Sequence, residues 1–153
     1  MTLSELERIY GLTLDDVHEL QEWVCQCEDK YFNAHSVWKR LENNGLDNKL
    51  QRNEWLCTCI FRQQPNVFSL QVAGGIILCK DSGELNLGSI CQWIVDTYGK
   101  MMVQALTTKF NEIFATRIPV SKIAEKLKAY GLWDSLVTDS FDEYICLLYT
   151  SDA

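Results

Sequence analysis

The chain of 153 residues is long enough for one ordinary domain or for two very small ones. Its hydrophobic fraction of 47% and aromatic fraction of 11% supply a buried core and exclude an intrinsically disordered chain. No stretch approaches the roughly 18 consecutive apolar residues of a membrane span. The first seven residues alternate apolar and acidic positions and lack a signal-peptide pattern. We therefore predict a cytoplasmic protein with no membrane partner.

The net charge of −7 is distributed unevenly. Residues 1–29 contain eight acidic residues and one arginine, and residues 132–153 contain no basic residue. By contrast, residues 39–80 contain six basic and three acidic residues, and residues 100–128 contain six basic and two acidic ones. These two segments therefore carry +3 and +4. Two interpretations stay open for them: ordinary solvated helix faces, or two local surfaces that face an anion.

Seven cysteines, an odd number, lie mostly in apolar runs, which favours reduced thiols in a reducing compartment. The pairs Cys25/Cys27 and Cys57/Cys59 are each separated by one residue, whereas structural zinc sites use two or more. On a helix, such positions point about 200° apart. We therefore predict that these cysteines pack in the core, and we predict neither a metal site nor a cofactor.

Helix-start residues recur along the chain. Thr2 and Glu5 have the spacing of a capping box. Four more residues of the N-cap type precede apolar stripes with helical period, namely Thr13, Asn33, Asn53 and Asn86. Pro119 stands at a favoured first helical position. The sequence therefore predicts a chain of short amphipathic helices.

Two β-rich runs interrupt these helices. Val67–Val72 and Ile76–Cys79 flank Gly74-Gly75 and predict a hairpin that turns at the two glycines, and Tyr31-Phe32 is a short extended pair. Helix, short strand, helix, helix and hairpin is the element order of a winged helix. In that fold three helices form the core and the hairpin is the wing.

The pattern then begins again. A helix from Asn86 to Tyr98 is followed by the extended Lys100–Met102 and by helices at Val103–Phe114 and Pro119–Tyr130. A shift of 70 residues places Trp23-Val24 on Trp93-Ile94. We therefore predict a mainly α protein with small β-hairpins (α+β), made of tandem winged-helix-like units at residues 1–83 and 84–145, the second incomplete.

Residues 146–153 have a different character. Their sequence, Cys146 to Ala153, resembles peptides that arise when sequencing-adapter read-through is translated. We predict that this segment is a non-native tail and that the chain is a fragment of a longer protein.

The run from Phe32 to Val37, followed by Gly45, Val67–Ser69 and Gly74-Gly75, resembles the winged helix-turn-helix modules of large bacterial sigma-factor-like helix-turn-helix proteins. Tandem units of this kind recur in that group. The resemblance implies binding to nucleic acid and a role in transcription regulation. One departure is that the helix expected to read the major groove, Glu54–Phe61, is apolar and carries no base of its own.

The predicted DNA-binding residues surround these motifs. In a winged helix, the second helix of the helix-turn-helix enters the major groove while basic residues contact phosphates. In the second unit that helix carries Lys122 and Lys126 one turn apart, flanked by Lys128 and Arg117. In the first unit the predicted contacts lie around the helix and are Lys39, Arg40, Arg52 and Arg62.

A catalytic role has little support. A nucleophilic cysteine would need His18 or His35 nearby with an orienting group, and the one glycine pair joins two strands instead of preceding a helix. We therefore predict no enzymatic activity and no small-molecule substrate.

A protein partner is the alternative to DNA. Four aromatic residues would anchor such an interface if exposed, namely Trp55, Phe61, Trp133 and Phe141. The competing expectation places Trp23, Trp55 and Trp93 in the core.

Overall fold

The computed structural model describes residues 2–50, 53–80 and 85–151. It consists mainly of helices with one small three-stranded antiparallel sheet, so the predicted α+β class is confirmed. Two compact units can be distinguished: unit 1 comprises Met1–Gln71 and Ile76–Gly83, and unit 2 comprises Val72–Gly75 and Glu84–Ala153. No helix within the described residues has both the length and the apolar character needed to cross a membrane.

The first part of the chain begins with two helices and ends with a β-hairpin. They are α1 (Leu3–Tyr10), α2 (Leu14–Gln26), β1 (Tyr31–Phe32), α3 (Ala34–Asn43), α4 (Glu54–Arg62), β2 (Phe68–Val72) and β3 (Gly75–Cys79). The strand order in the sheet is β1-β3-β2. Strand β1 runs antiparallel to β3, with Tyr31 opposite Cys79 and Phe32 opposite Leu78.

The predicted N-caps are present. At α3 the Asn33 side chain accepts from the Ser36 N–H at 2.9 Å, and the Ser36 hydroxyl accepts from the Asn33 N–H at 2.9 Å. Thr2 and Thr13 form equivalent reciprocal caps at α1 and α2. Each cap satisfies backbone N–H groups that have no partner inside the helix.

The hairpin turn lies one residue earlier than predicted. Ala73 and Gly74 form the turn, and Gly75 is already the first residue of β3. Gly74 has φ +89°, a left-handed conformation that glycine adopts without the strain a Cβ would introduce. A two-residue turn of this kind is the common way to join antiparallel strands.

The core of unit 1 lies between its helices and β1. Phe32 and Phe61 are fully buried, and their ring centroids are 6.2 Å apart in an edge-on arrangement. Trp23 stacks on the other side of Phe61 at 6.4 Å and is half-buried. The apolar stripe of α4 thus packs on both α2 and β1.

A lysine closes the end of α2. The Lys80 ammonium, just after β3, donates to the carbonyl oxygens of Val24 at 3.1 Å and Cys25 at 3.4 Å, and also to that of Cys27. The last carbonyls of a helix have no partner within it and carry the negative end of the helix dipole. Lys80 therefore satisfies these groups and joins the end of β3 to the end of α2.

The second half of the chain is helical in its described part. Its helices are α5 (Leu87–Tyr98), α6 (Val103–Phe114), α7 (Val120–Ala129), α8 (Trp133–Leu136) and α9 (Phe141–Ser151). Pro119 was predicted as the first helical residue, but it has extended angles and stands at the N-cap, so α7 begins one residue later, at Val120. Met101 forms an isolated parallel bridge with Val137. Helix α5 packs on α6 and α7.

The N-terminus of α6 is capped from a distant part of the chain. Met102, at the N-cap, provides no side-chain hydrogen bond. Instead the buried carboxylate of Asp139 accepts from the Val103 N–H at 3.0 Å, while the Asp139 carbonyl accepts from the Trp133 indole at 2.8 Å. Asp139 thereby connects α6 to the segment between α8 and α9.

We expect the Lys80→Met variant to lower the free energy of unfolding by about 1.5 kcal/mol, because methionine retains the aliphatic stem but leaves carbonyl groups of α2 without the ammonium. Urea unfolding followed by circular dichroism measures the effect. Lys39→Met, at an exposed site on α3, is the matched control and should change stability little. Equal stability of the two variants would show that the Lys80 contacts contribute nothing.

We expect Asp139→Ala to destabilise the protein by about 2 kcal/mol, because the buried Val103 N–H loses its acceptor. Amide hydrogen exchange at Val103 should accelerate together with this loss. Asp139→Asn keeps an acceptor oxygen and should preserve most of the protection. If the alanine and asparagine variants exchange equally fast, the side-chain cap is not what protects this amide.

Candidate nucleic-acid interface

The turn between α6 and α7 is built around the Asn111 side chain. Its carbonyl oxygen accepts from the Thr116 hydroxyl at 2.8 Å and from the Ile118 N–H at 3.0 Å, and its amide group donates to the Ile118 carbonyl at 3.0 Å. Ala115 adopts a left-handed conformation with φ 53° where α6 ends. These contacts fix the direction in which α7 leaves the turn.

Helix α7 buries one face and exposes another. Ile123, Ala124 and Leu127 are buried. Lys122 is exposed and Lys126 is half-exposed, and at 100° per residue the two directions differ by about 40°. Within the described part of the chain, neither ammonium group forms an ion pair, a hydrogen bond or a ring contact. The two predicted phosphate contacts therefore share one edge of α7.

Lys128 does not belong to that edge. It follows Lys126 by two residues and so points about 200° away on the helix. Its ammonium lies 4.8 Å from the centre of the Phe141 ring on α9. Lys128 was predicted to flank Lys122 and Lys126, and in the structure it lies off their edge and contacts an aromatic ring.

Arg117 is exposed just before α7. Its backbone N–H donates to the Ala73 carbonyl at 2.8 Å. The chain is therefore anchored at this residue by its backbone, and the guanidinium group is left at the surface.

The predicted basic residues of unit 1 divide into two groups. Lys39 on α3 and Arg62 at the end of α4 are exposed. Arg40 forms an ion pair with Asp29, and its guanidinium lies 5.9 Å from the Trp23 ring centre. Arg40 is thus held by contacts within unit 1. Arg52 lies outside the described residues.

The outward face of α4 differs from the sequence-based expectation. The helix extends to Arg62, so it does carry a base, and this base is exposed. Trp55 was expected in the core, but 59% of its surface is exposed. Phe61 and Trp133, which were considered as interface anchors, are buried. The period of α4 explains the result, because Leu56, Cys57, Ile60 and Phe61 already fill its buried face.

The acidic residues of unit 1 gather on α2 and are partly neutralised there. Lys49 forms ion pairs with Asp16 at 3.0 Å and with Glu19 at 2.5 Å. The pKa of Asp16 lies below its usual value, because the Thr13 backbone N–H and the Lys49 ammonium both favour the ionised carboxylate. The acidic residues bound by Lys49 thus lie on a different helix from Trp55 and Arg62, whereas Glu54 lies beside Trp55 on α4.

The cysteines occupy contrasting environments. Cys25 is exposed whereas Cys27 is buried, and Cys57 is buried whereas Cys59 is half-exposed. In the described ranges no group of three or more histidine, cysteine or acidic side chains is placed to hold a metal ion. Burial raises the pKa of the Cys57 thiol, and it raises that of Cys91 to about 12. These two thiols are therefore protonated at neutral pH and are poor nucleophiles.

Comparison with family models, curated proteins and solved structures found no match to this chain. The function therefore has to be inferred from the faces of α4 and α7.

We expect iodoacetamide at pH 8 to label Cys25 in the folded protein and to leave Cys57 and Cys91 unmodified. Exposure favours the first reaction, while burial and a raised pKa oppose the others. Peptide mass spectrometry after timed quenching measures each site. The same reaction in 8 M urea is the control and should label all three. Rapid native labelling of Cys57 or Cys91 would contradict the described packing.

Proposed function

We propose that the chain is a non-enzymatic nucleic-acid-binding module of the winged-helix kind, associated with transcription. The order α2, β1, α3, α4, β2, β3 together with the sheet order β1-β3-β2 supports this scaffold for unit 1. In such a scaffold α3 and α4 are the helix-turn-helix pair, and α4 is the helix that contacts nucleic acid.

For unit 2 we propose a related helix-turn-helix without a complete wing. Helices α5, α6 and α7 have the same order as α2, α3 and α4, and Met101 stands 70 residues after Tyr31, the first residue of β1. The strand pairing differs, because Met101 pairs in parallel with Val137 whereas β1 pairs antiparallel with β3. The similarity between the two units that supports the proposal is therefore the order of their helices.

One observation carries the DNA-binding proposal: Lys122 and Lys126 lie on one accessible edge of α7, the second helix of its pair. Two ammonium groups one turn apart suit neighbouring phosphates, because phosphate contacts from basic side chains position a protein on a duplex. The Asn111 contacts hold the α6–α7 turn and so present this edge in a fixed direction.

The overall charge of −7 does not prevent local binding to phosphates. At 0.1 M salt, exposed charges separated by more than about 10 Å are largely screened from one another. A phosphate bound at α7 is therefore affected mainly by the charges within that distance, among them Lys122 and Lys126. The cost is a weak overall affinity, which grows as salt is lowered.

A protein partner is the second candidate, and an apolar groove favours it. The groove has a volume of about 470 Å³ and lies between α7 and α9, where Ala124, Phe141, Tyr144 and Ile145 line it. Ser121, Glu125 and Lys128 contribute polar groups to the same lining. If this groove is the functional surface, changes at Lys122 and Lys126 should have no effect on DNA binding.

We expect the full chain to bind a random DNA duplex with an affinity that falls steeply with salt. Because two phosphates are assigned to Lys122 and Lys126, replacing both by alanine should shallow the log–log salt slope by about 1.8. Fluorescence anisotropy at several salt concentrations between 20 and about 200 mM measures the slope.

The matched control is the pair Lys49→Ala and Lys100→Ala, which changes the net charge by the same amount outside α7. Lys49 faces acidic groups on α2, and Lys100 donates to the Asp134 carbonyl. An equal loss of slope in both double variants would mean that net charge alone governs binding. Absence of duplex binding at low salt would refute the DNA-binding proposal.

A further inference from the structure

The outward face of α4 has an unusual composition. At 100° per residue, Trp55 and Arg62 point within about 20° of each other, and their Cα atoms are about 10 Å apart along the helix axis. Thr58 and Cys59 lie between them and are half-exposed. The face thus presents an indole ring and a guanidinium group, separated by small side chains.

This face is poorly suited to reading base edges in a duplex. An indole offers one N–H donor and no acceptor, so Trp55 cannot form the bidentate contacts by which asparagine, glutamine or arginine distinguish bases. The Thr58 hydroxyl already donates to the Glu54 carbonyl at 3.0 Å. Only Arg62 remains on this face for a base edge or a phosphate, and it stands in the last turn.

The same side chains suit an unpaired base. Aromatic side chains stack on the faces of bases in single strands, and the interaction tolerates any sequence because every base has a π face. Basic groups beside the aromatic ring then hold the sugar–phosphate backbone. Trp55 and Arg62 supply one of each on a single helix face, and Lys39 on the adjacent helix α3 supplies a second cation.

We propose that α4 of unit 1 binds single-stranded nucleic acid, with the Trp55 indole stacked on an unpaired base and Arg62 and Lys39 on the neighbouring phosphates. The inference rests on the proposed nucleic-acid function and names a substrate class for unit 1. It is independent of the duplex contacts assigned to α7.

The charges around Trp55 favour a nucleic acid over a protein partner. The Glu54 carboxylate, beside Trp55, is engaged by His35 Nδ1 at 3.4 Å. The Lys39 and Arg62 side chains form no hydrogen bond, ion pair or ring contact within the described part of the chain. Glu42 is also exposed, and it lies three residues after Lys39, toward the C-terminal end of α3. The two available cations on α3 and α4 thus complement a phosphate backbone.

The exposure of Trp55 also separates it from the other tryptophans whose packing is described. Trp23 stacks on Phe61, and Trp38 packs against the same core. Trp93 lies 6.3 Å from Phe114, and Trp133 contacts Phe141 and Tyr144. Each of these rings contributes to a core. Trp55 leaves more than half of its surface to solvent, so its ring face remains accessible to a ligand.

The test uses the full chain and a fluorescein-labelled 20-nucleotide oligothymidylate, compared with a mixed-sequence duplex of the same length. We expect Trp55→Ala to weaken single-strand binding by about 5- to 150-fold, which corresponds to the loss of one base stack. Duplex affinity should stay within twofold of the unchanged protein. Arg62→Ala should shallow the salt slope on the single strand by about 0.7.

Two control variants accompany the test. Trp55→Phe keeps an aromatic face and should retain most of the single-strand affinity. Ile9→Ala removes another large exposed apolar side chain, on α1, and should have no effect. Thermal unfolding by circular dichroism checks that each variant is folded. Because Trp55 and Ile9 are both exposed, we expect their variants to fold.

Three outcomes would overturn the inference. The first is single-strand affinity unchanged by Trp55→Ala, which would point to a protein ligand for this face. The second is an equal loss on single strand and duplex, which would remove the preference for unpaired bases. The third is no nucleic-acid binding at all, which would also refute the proposed function. If duplex binding depends on Lys122 and Lys126 but Trp55→Ala has no effect on single-strand binding, the proposed function is supported and the single-strand inference is wrong.

Discussion

Unit 1 depends on a strand of only two residues. Tyr31 and Phe32 pair with Cys79 and Leu78. This pairing connects the hairpin to a strand more than 40 residues earlier in the chain. Both side chains are buried, and Phe32 meets Phe61 of α4 edge-on. Since loop closure over such a distance costs entropy before contacts form, the buried pair must supply part of the compensating energy. Lys80 strengthens the same junction, because it binds the end of α2 directly after β3 ends.

The sequence predicted features that depend on near neighbours. Thr13 with Asp16 and Asn33 with Ser36 cap helices within four residues, and local hydrogen bonding of this kind is readable from residue type and spacing. The hairpin was predicted for the same reason, since Gly74 stands between two β-rich runs. Its turn was misplaced by one residue, because either glycine could have provided the left-handed position.

Long-range contacts could not be predicted. The Asp139 cap on α6 joins residues 36 apart, and the Lys80 contacts with α2 join residues more than 50 apart. No local spacing encodes either one. At the candidate site the sequence identified Lys122 and Lys126 correctly as neighbours on one edge. It did not reveal the ring partner of Lys128, because that partner lies on α9, outside any local pattern.

The residues most informative about function are those that the core does not require. Apolar residues already occupy every buried position of α4 and α7, so Trp55, Lys122 and Lys126 contribute no core packing. An exposed indole, and two ammonium groups that have no partner among the described residues, bring no evident gain to folding. Their position on the second helix of two successive helix pairs supports the proposal that they contact a ligand outside the chain. The chemistry then distinguishes the two helices, since a ring face suits an unpaired base, whereas two ammonium groups one turn apart suit the phosphates of a duplex.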